Sequence, residues 1–349
     1  MPDGKITVAV LMGGKSSEHE VSLSSGSQVV TAFNHEKYQI LPVVITKEGE
    51  WLLWRDQNRL PATCERINRE EWEVCSLGRA LDRFRELDVQ AVFLALHGAF
   101  GEDGTMQGLL ECAGLPYTGS GVLASALAID KRISGEIFAE AGLLTPKTYS
   151  LKIQKWRSEP KIVQEEILKN IGLPCVVKPA NLGSSVGISI VRKLDALREA
   201  IDKAFNGDRL VLVQDYLKGE ELTCAVLDEG RGKNARALPP TQIIPKGGTF
   251  FDYSAKYQVG GSEEVTPPRL PRVVIEKIQD TALRAHLALG CSGMSRTDMI
   301  LVGDDLYVLE TNTIPGMTPT SLLPQAAAKA GLSFAVLLDA VTQAALKTS

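Results

Sequence analysis

The 349-residue sequence has no pair of cysteines at C-x-x-C spacing, and none of its four histidines belongs to an H-E-x-x-H pair. The first absence removes zinc ribbons and thioredoxin-like redox motifs, and the second disfavours a zinc hydrolase. Several of the six cysteines (64, 75, 112, 175, 224 and 291) sit within apolar runs, as reduced core thiols of a cytoplasmic protein do. There is no basic stripe either. Lys and Arg number 38 against 42 Asp and Glu, a net charge of −4, so neither nucleic acid nor a membrane is an expected partner. The charge-free stretch Cys112–Ile129 is interrupted by Pro116 and several glycines and makes a poor membrane span. The apolar run Ile6–Met12 ends in Gly13-Gly14 with no cleavage site behind it, and reads as a strand rather than a secretion signal.

What is present is ordinary globular composition, 44% hydrophobic and 23% charged, in a chain long enough for two or three domains. Short apolar runs at Lys5–Met12, Gln39–Ile45 and Gln90–Leu96 alternate with helix-compatible stretches at Glu20–Phe33 and Thr105–Ala113, the pattern of a parallel α/β sheet. Residues 46–88, more polar and carrying Trp51, Trp54 and Trp72, read as an insertion. From about residue 125 a smaller α+β module is expected. It has helices at Ile129–Ala141, Glu159–Asn170 and Leu194–Phe205, and strands at Pro174–Lys178, Gly187–Val191 and Leu210–Asp215. The remainder predicts strands at Leu222–Leu227 and Ala237–Ile244, a helix over Arg272–Leu289, a hairpin over Arg296–Asn312 and closing helices at Ser321–Ala330 and Phe334–Leu346.

Several stretches carry chemistry. In Leu11–Ser22 a strand runs through two glycines into a helix start. The spacing does not fit a Walker loop, and a Ser17–Glu20 capping box is the plain reading. Glu18, however, lies at a strand's carboxyl end, where open α/β sheets bind ligands, and His97 follows the next strand at the same edge. Gly119–Ala124 matches G-x-G-x-x-A, a hint of a nicotinamide dinucleotide site that lacks the strand it needs. Val176–Gly187 delivers Lys178 into a loop of glycine and serine suited to wrapping phosphate. In the hairpin, a three-residue loop at Gly303–Asp305 places Asp298 opposite Glu310 and Arg296 opposite Asn312, all four on one face. Opposed carboxylates repel, unless a divalent cation such as Mg²⁺ lies between them; an Arg–Asp ion-pair ladder is the alternative.

Together these parts resemble the D-alanine–D-alanine ligases of the ATP-grasp superfamily. The matching stretches are LMGGKSSEHEVSLSSG (11–26), LHGAFGEDGTMQGLLECAGLPYTGSGVLASALAIDK (96–131), KPANLGSSVG (178–187), GTFFDYSAKY (248–257), SRTDMIL (295–301) and LETNTIPGMTPTSLLP (309–324). The resemblance implies a three-domain ATP-grasp architecture, α/β and α+β. An N-terminal, Rossmann-like parallel-sheet domain (1–124) would precede a central lid (125–218) and a C-terminal domain with the metal site (219–349). It implies ATP and two Mg²⁺ ions, replaceable by Mn²⁺, two molecules of D-alanine as substrates, and a cytoplasmic homodimer.

By the same resemblance, Lys131, Lys178, Ser184, Ser185 and Lys256 contact the ATP phosphates, while Gln214, Asp215, Tyr216, Leu217 and Glu221 line the adenine and ribose pocket. Asp298, Glu310 and Asn312 hold the metal ions. Glu18 fixes the ammonium of the first D-alanine and His97 lines its pocket. Arg296 and the Gly316 backbone form the oxyanion site, and Ser321 with Leu322 holds the second D-alanine. Tyr257 joins Glu18 and Ser184 in a triad that favours an amine over D-lactate as second substrate, on a lid at Gly247–Gly261. Gln214 stands where many relatives carry glutamate, and Phe251 replaces a common tyrosine.

Overall fold

The computed structural model describes residues 4–56, 58–181, 187–245 and 262–347. Its first sheet has the order β4-β3-β2-β1-β5, with β1 (Ile6–Gly13) parallel to β2 (Tyr38–Ile45) and β5 (Ala91–Leu94). These three strands are nearly continuous apolar runs because the central part of a parallel sheet is covered on both faces. The region 46–88 is not a separate insertion. β3 (Trp51–Trp54) and β4 (Trp72–Cys75) extend the same sheet antiparallel, and helix α2 (Leu77–Glu86) leads back to β5. Trp51, Trp54 and Trp72 are buried there, with Trp54 and Trp72 stacked edge to face at 5.2 Å. Helix α1 (His19–Ala32) packs on β1, and α3 (Thr105–Ala113) follows β5.

The expected helix over 129–141 is observed as α5 (Lys131–Glu140), and a helix that was not expected, α4 (Val122–Ile129), ends just before it at Asp130. The Asp130 carboxylate accepts hydrogen bonds from the Arg132 and Ile133 backbone, both at 3.0 Å, and so starts a new helix instead of continuing the old one. No strand of the first sheet feeds α4. Only a single bridge joins Tyr117 to β5, which leaves the G-x-G-x-x-A match without its strand.

A second sheet, in the order β6-β9-β7-β8, is antiparallel: β6 (Thr148–Lys152), β9 (Leu210–Asp215), β7 (Cys175–Pro179) and β8 (Ser189–Val191). Val177, Val211, Val213 and Leu151 face a core shared with α7 (Pro160–Asn170) and α8 (Leu197–Phe205); the short α6 (Ile153–Ser158) contributes Trp156.

The third sheet, β13-β12-β10-β14-β15 with β11 paired to β10, is built from β10 (Glu220–Leu227), β11 (Arg236–Ala237), β12 (Thr241–Pro245), β13 (Ser262–Val265), β14 (Met294–Val302) and β15 (Asp305–Asn312). It packs on α9 (Arg272–Ala288) through Ile278, Ala282 and Ala285. The chain ends in α10 (Leu322–Lys329) and α11 (Phe334–Lys347), whose Leu323, Leu337 and Val341 join the core of the first sheet. Among the described residues no single helix is long and apolar enough to cross a membrane, and the one bent pair that passes by length, α10 with α11, lies on this core. The six cysteines are unpaired, four of them buried, while Cys75 is half-buried and Cys112 exposed.

One buried polar node ties β10, α9 and β14 together. Asp228 accepts hydrogen bonds from the backbone of Gly230 and Gly293, both at 2.6 Å, and of Gly232 at 2.9 Å. Its Oδ2 also meets His286 Nε2 at 2.9 Å, and His286 Nδ1 reaches Ser295 Oγ at 2.7 Å, all in the interior. Burial raises the Asp228 carboxyl, but His286 and the N–H groups of Gly293 and Gly230 outweigh it and hold the group below the usual carboxylate range. Asp228→Ala strands four donors at once, so a loss of about 3 kcal/mol in urea unfolding is expected. A loss below about 1 kcal/mol would contradict this role for the node.

Candidate active site

The late hairpin presents the charged face expected of it, by a different route. The turn between β14 and β15 holds two residues, Gly303 and Asp304, with Gly303 at φ 59°, as a tight hairpin turn with glycine in its first central position requires. From Val302↔Asp305 to Met299↔Val308 the ladder is regular. A bulge then makes Leu309 an extra residue, and beyond it Asp298 pairs with Glu310 and Arg296 with Asn312. The expected three-residue loop is therefore incorrect, yet the bulge restores the predicted pairing.

The two carboxylates do not face each other unscreened. Arg296 grips Asp298 bidentately, Nε to Oδ1 at 2.9 Å and Nη2 to Oδ2 at 2.8 Å. Thr223 of the neighbouring β10 donates to Asp298 Oδ1 at 2.7 Å, and Asn312 Nδ2 lies 3.4 Å from Oδ2. Lys131, the first residue of α5, reaches Glu310 Oε2 at 3.0 Å with its side chain 8% exposed. The ion pair read as the alternative is thus present, and it coexists with a donor set of two carboxylates and a carboxamide, all hard oxygen ligands. Among the described residues no group of three or more His, Cys, Asp and Glu is close enough to hold a metal by itself. The set fits a Mg²⁺ ion that takes the rest of its shell from water or phosphate oxygens. Both carboxylates now hold a cationic nitrogen where such an ion would bring its charge.

Arg296, Asp298, Glu310 and Asn312 line a cavity of about 470 Å³ together with Glu18, His97, Gly316, Ser321 and Leu322. Glu18 occupies the N-cap position of α1 but its side chain makes no capping bond, and Ser17 does not cap either; Ser16 Oγ accepts the Glu18 N–H at 3.0 Å. The Ser17–Glu20 capping box is not formed, because the N-cap position falls on Glu18 and Glu20 Oε1 accepts from Lys47 Nζ at 2.7 Å. The loop after β5 comes close to Ser16 because of Gly98, at φ 72°, where a Cβ would stand 2.4 Å from Ser16 Oγ. At Gly316 a Cβ would meet Ser321 Oγ at 2.8 Å, so a side chain there would force the serine hydroxyl to turn away.

His97 is buried, with Nδ1 at 3.2 Å from the Ile314 carbonyl and Nε2 at 2.9 Å from Ser25 Oγ. A carbonyl only accepts, so Nδ1 carries the proton, and neutral Nε2 accepts from Ser25. Burial holds the imidazole down at about 4, helped by the nearby Arg296 charge against the Ile314 bond. Glu102, which the sequence reading left unassigned, also lines the cavity. Its Oε2 accepts the Gly98 N–H at 2.7 Å, and burial, followed by the charge of Glu18, pushes its carboxyl up to about 8.

On the second sheet, Lys178 and Gln214 share the face turned away from α7 and α8, since Val176 pairs with Gln214 and Lys178 with Leu212 while Val177 and Val213 point to the core. Lys178 is 7% exposed. The Lys131 N–H donates to the Ala180 carbonyl at 3.1 Å, which joins α5 to the end of β7. Asp215 ends β9 with a buried Oδ1 that has no hydrogen-bond partner among the described residues and a carboxyl raised by burial, Tyr216 N donates to Pro174 O, and Leu217 precedes β10. Glu221 lies in β10 between Ile243 and Ile300. Ser184, Ser185, Lys256 and Tyr257, with the segment Gly247–Gly261, lie outside the described residues. Sequence reasoning missed Glu102, Thr223 and Ser25; the last two act through partners 75 and 72 residues away.

Residues 7–120 match the family described as D-ala D-ala ligase N-terminus and residues 137–343 the one described as D-ala D-ala ligase C-terminus. The D-alanine–D-alanine ligase of Syntrophobacter fumaroxidans is 43% identical over 99% of this chain and 100% of its own length. Among solved structures, the VanG D-Ala:D-Ser ligase of Enterococcus faecalis superposes with a TM-score of 0.83 at 33% identity, covering 97% of this chain and 98% of that one. The D-alanine–D-alanine ligase of Bacillus anthracis complexed with ATP gives 0.75 at 31% identity, covering 98% of each chain. The fold and the charged hairpin define an ATP-grasp protein. The chain belongs to the D-alanine–D-alanine ligase family.

The neutral, buried His97 makes stability depend on pH. The unfolded chain binds a proton near pH 6.5 that the folded chain refuses until about 4, so stability is complete above 6.5 and falls as pH drops. At pH 5 the wild type should lose about 2 kcal/mol relative to pH 7.5 through this group. The loss should be absent in His97→Gln when the two are compared by urea unfolding, and equal losses in both proteins would refute it.

Proposed function

We propose that the chain joins two D-alanine molecules into D-alanyl-D-alanine, with conversion of ATP to ADP and phosphate, for peptidoglycan precursor synthesis. The observation that carries this reading is the shared cavity. It brings Glu18, at the head of α1, within one space with Arg296, Asp298, Glu310 and Asn312 of the hairpin. Family membership supports the reaction, and a neighbour complexed with ATP supports the nucleotide.

In this proposal the units 1–124, 125–218 and 219–349 close on the substrates. ATP lies between the second and third sheets, its base against Gln214, Asp215, Tyr216 and Leu217, its ribose at Glu221, and its phosphates at Lys131 and Lys178. Ser184, Ser185 and Lys256 would add phosphate contacts from outside the described residues. Asp298, Glu310 and Asn312 would hold two Mg²⁺ ions, for which Mn²⁺ can substitute, and these supply positive charge to the transferring phosphoryl group. Glu18 receives the ammonium of the first D-alanine beside His97, and the substrate carboxylate attacks the γ-phosphate to give an acyl phosphate and ADP. The second D-alanine, held at Ser321 and Leu322, then attacks the acyl carbon through its amine. The Arg296 guanidinium and the Gly316 N–H face the oxyanion as phosphate leaves. Glu18, Ser184 and Tyr257 would form the triad that excludes water from the acyl phosphate. A homodimer in the cytoplasm is the assembly proposed.

Incubation with ATP, Mg²⁺ and D-alanine should yield D-alanyl-D-alanine with one phosphate per peptide bond, by mass spectrometry and phosphate release. Only ester with D-lactate, only D-alanyl-D-serine with D-serine, or stabilisation by NADH and not by ATP, would overturn it in favour of those activities. Glu310→Gln should lower turnover by about a hundredfold or more. Near-normal rates at low Mg²⁺ would remove the hairpin from the chemistry.

A further inference from the structure

The Gln214 side chain has a partner that none of the roles above uses. Gln214 in β9 pairs directly with Thr148 in the edge strand β6, on the face that also carries Lys178. Gln214 Nε2 donates to Thr148 Oγ1 at 2.8 Å, and Thr148 Oγ1 in turn donates to the Pro146 carbonyl at 2.8 Å. The Pro146 carbonyl has no proton to give, so the threonine proton is committed to it. Towards Gln214 the hydroxyl can therefore only accept. This fixes which end of the carboxamide points where: nitrogen to Thr148, and oxygen to the other side. The reversed amide would set two acceptors against each other or break the bond to Pro146, and either loses a hydrogen bond at Gln214, which is only 7% exposed although Thr148 itself lies on the exposed edge.

We propose that Thr148 is a positioning residue that sets the base selectivity of the nucleotide site, holding Gln214 with its carbonyl oxygen towards the base. The inference rests on the proposed placement of the nucleotide base at Gln214. A fixed acceptor matches a purine bearing an amino group at position 6 and opposes one bearing a carbonyl there. Adenine nucleotides are then selected over hypoxanthine and guanine nucleotides. A glutamine needs this device and a glutamate does not, because a carboxylate presents an acceptor whichever way it turns. Specificity of this kind is a difference of affinities, created as much by the rejected base as by the accepted one.

The test compares ATP with ITP, which differ at position 6. Substrates are followed by phosphate release at saturating D-alanine, and ADP and IDP by equilibrium binding. Thr148→Val keeps a β-branched side chain in a strand and removes only the hydroxyl. It should reduce the preference for ATP over ITP about tenfold, or about 1.4 kcal/mol, with kcat at saturating ATP unchanged. Thr148→Ser should keep the wild-type preference, and Gln214→Glu added to Thr148→Val should restore it. An ATP-to-ITP ratio unmoved by Thr148→Val, or not restored by the double variant, would overturn the role of Thr148 alone. Failure of the wild type to bind ADP at all would overturn the nucleotide-site reading and this inference with it.

Discussion

The site depends on two carboxylates held opposite each other across one hairpin. Asp298 and Glu310 occupy paired positions of β14 and β15, where like charges repel. The arrangement persists because cations come from two directions. Arg296 arrives along the same strand, two residues earlier, and Lys131 arrives from α5. Lys131 reaches Glu310 only because α4 stops at Ile129 and Asp130 begins a new helix. The cap of α5 is therefore part of the electrostatics of the hairpin. A continuous helix over 122–140 would carry the lysine elsewhere. Neighbouring donors do the rest: Thr223 on Oδ1 and Asn312 near Oδ2 leave the Asp298 carboxylate fixed in orientation.

The side of the cavity nearer α1 carries two further carboxylates, Glu18 and Glu102. Glu102 sits beside Glu18, and burial together with that charge raises its carboxyl. The structure thus separates three acids by environment. Asp298 is ion-paired, Glu102 is pushed towards its neutral form, and Glu18 stands at the N-terminus of α1, where the helix dipole favours negative charge. His97 is kept neutral and acts as a strut between Ser25 of α1 and Ile314 of the C-terminal loop. A charge there would sit near Arg296 without water, which explains why the imidazole gives up its second proton so early.

Much of this architecture was legible in the residues. Period-2 alternation placed Arg296, Asp298, Glu310 and Asn312 on one face, and the expected helices matching α1, α3, α5 and α7 to α11 start and stop within a few residues of their observed positions, whereas α2, α4 and α6 were not expected. The hairpin is instructive because its turn was misread by one residue and a bulge at Leu309 compensated for it. Side-chain pairing survives such an exchange, since a bulge and a longer loop both add one residue to the same strand. Residues 46–88 were opaque for a different reason. Trp51–Trp54 is a four-residue apolar run, too short to show whether it joins a distant sheet or forms its own. The break at Asp130 was hidden because Ile129 and Lys131 both fit a helix, and only the cap geometry separates them. Least legible were hydroxyl partners such as Thr223 and Ser25. No local pattern marks a threonine whose carboxylate lies on another strand.

The glutamine at position 214 illustrates how one substitution alters what its surroundings must do. A carboxylate buried on that face would need compensation for its lost hydration, whereas a carboxamide buries at lower cost. Removing the charge, however, introduces an ambiguity of orientation that an ionised carboxylate does not have. The ambiguity is resolved by Thr148, whose own proton is taken by a carbonyl two residues earlier in its chain. That carbonyl belongs to proline, which has no backbone N–H, so the segment leading into β6 offers Thr148 an acceptor at this point and no competing donor. The hydrogen-bond polarity that Gln214 presents is in this way set by the backbone leading into a neighbouring strand and transmitted through two side chains. A neutral residue can then read a single hydrogen-bond polarity in a place where charge would be expensive.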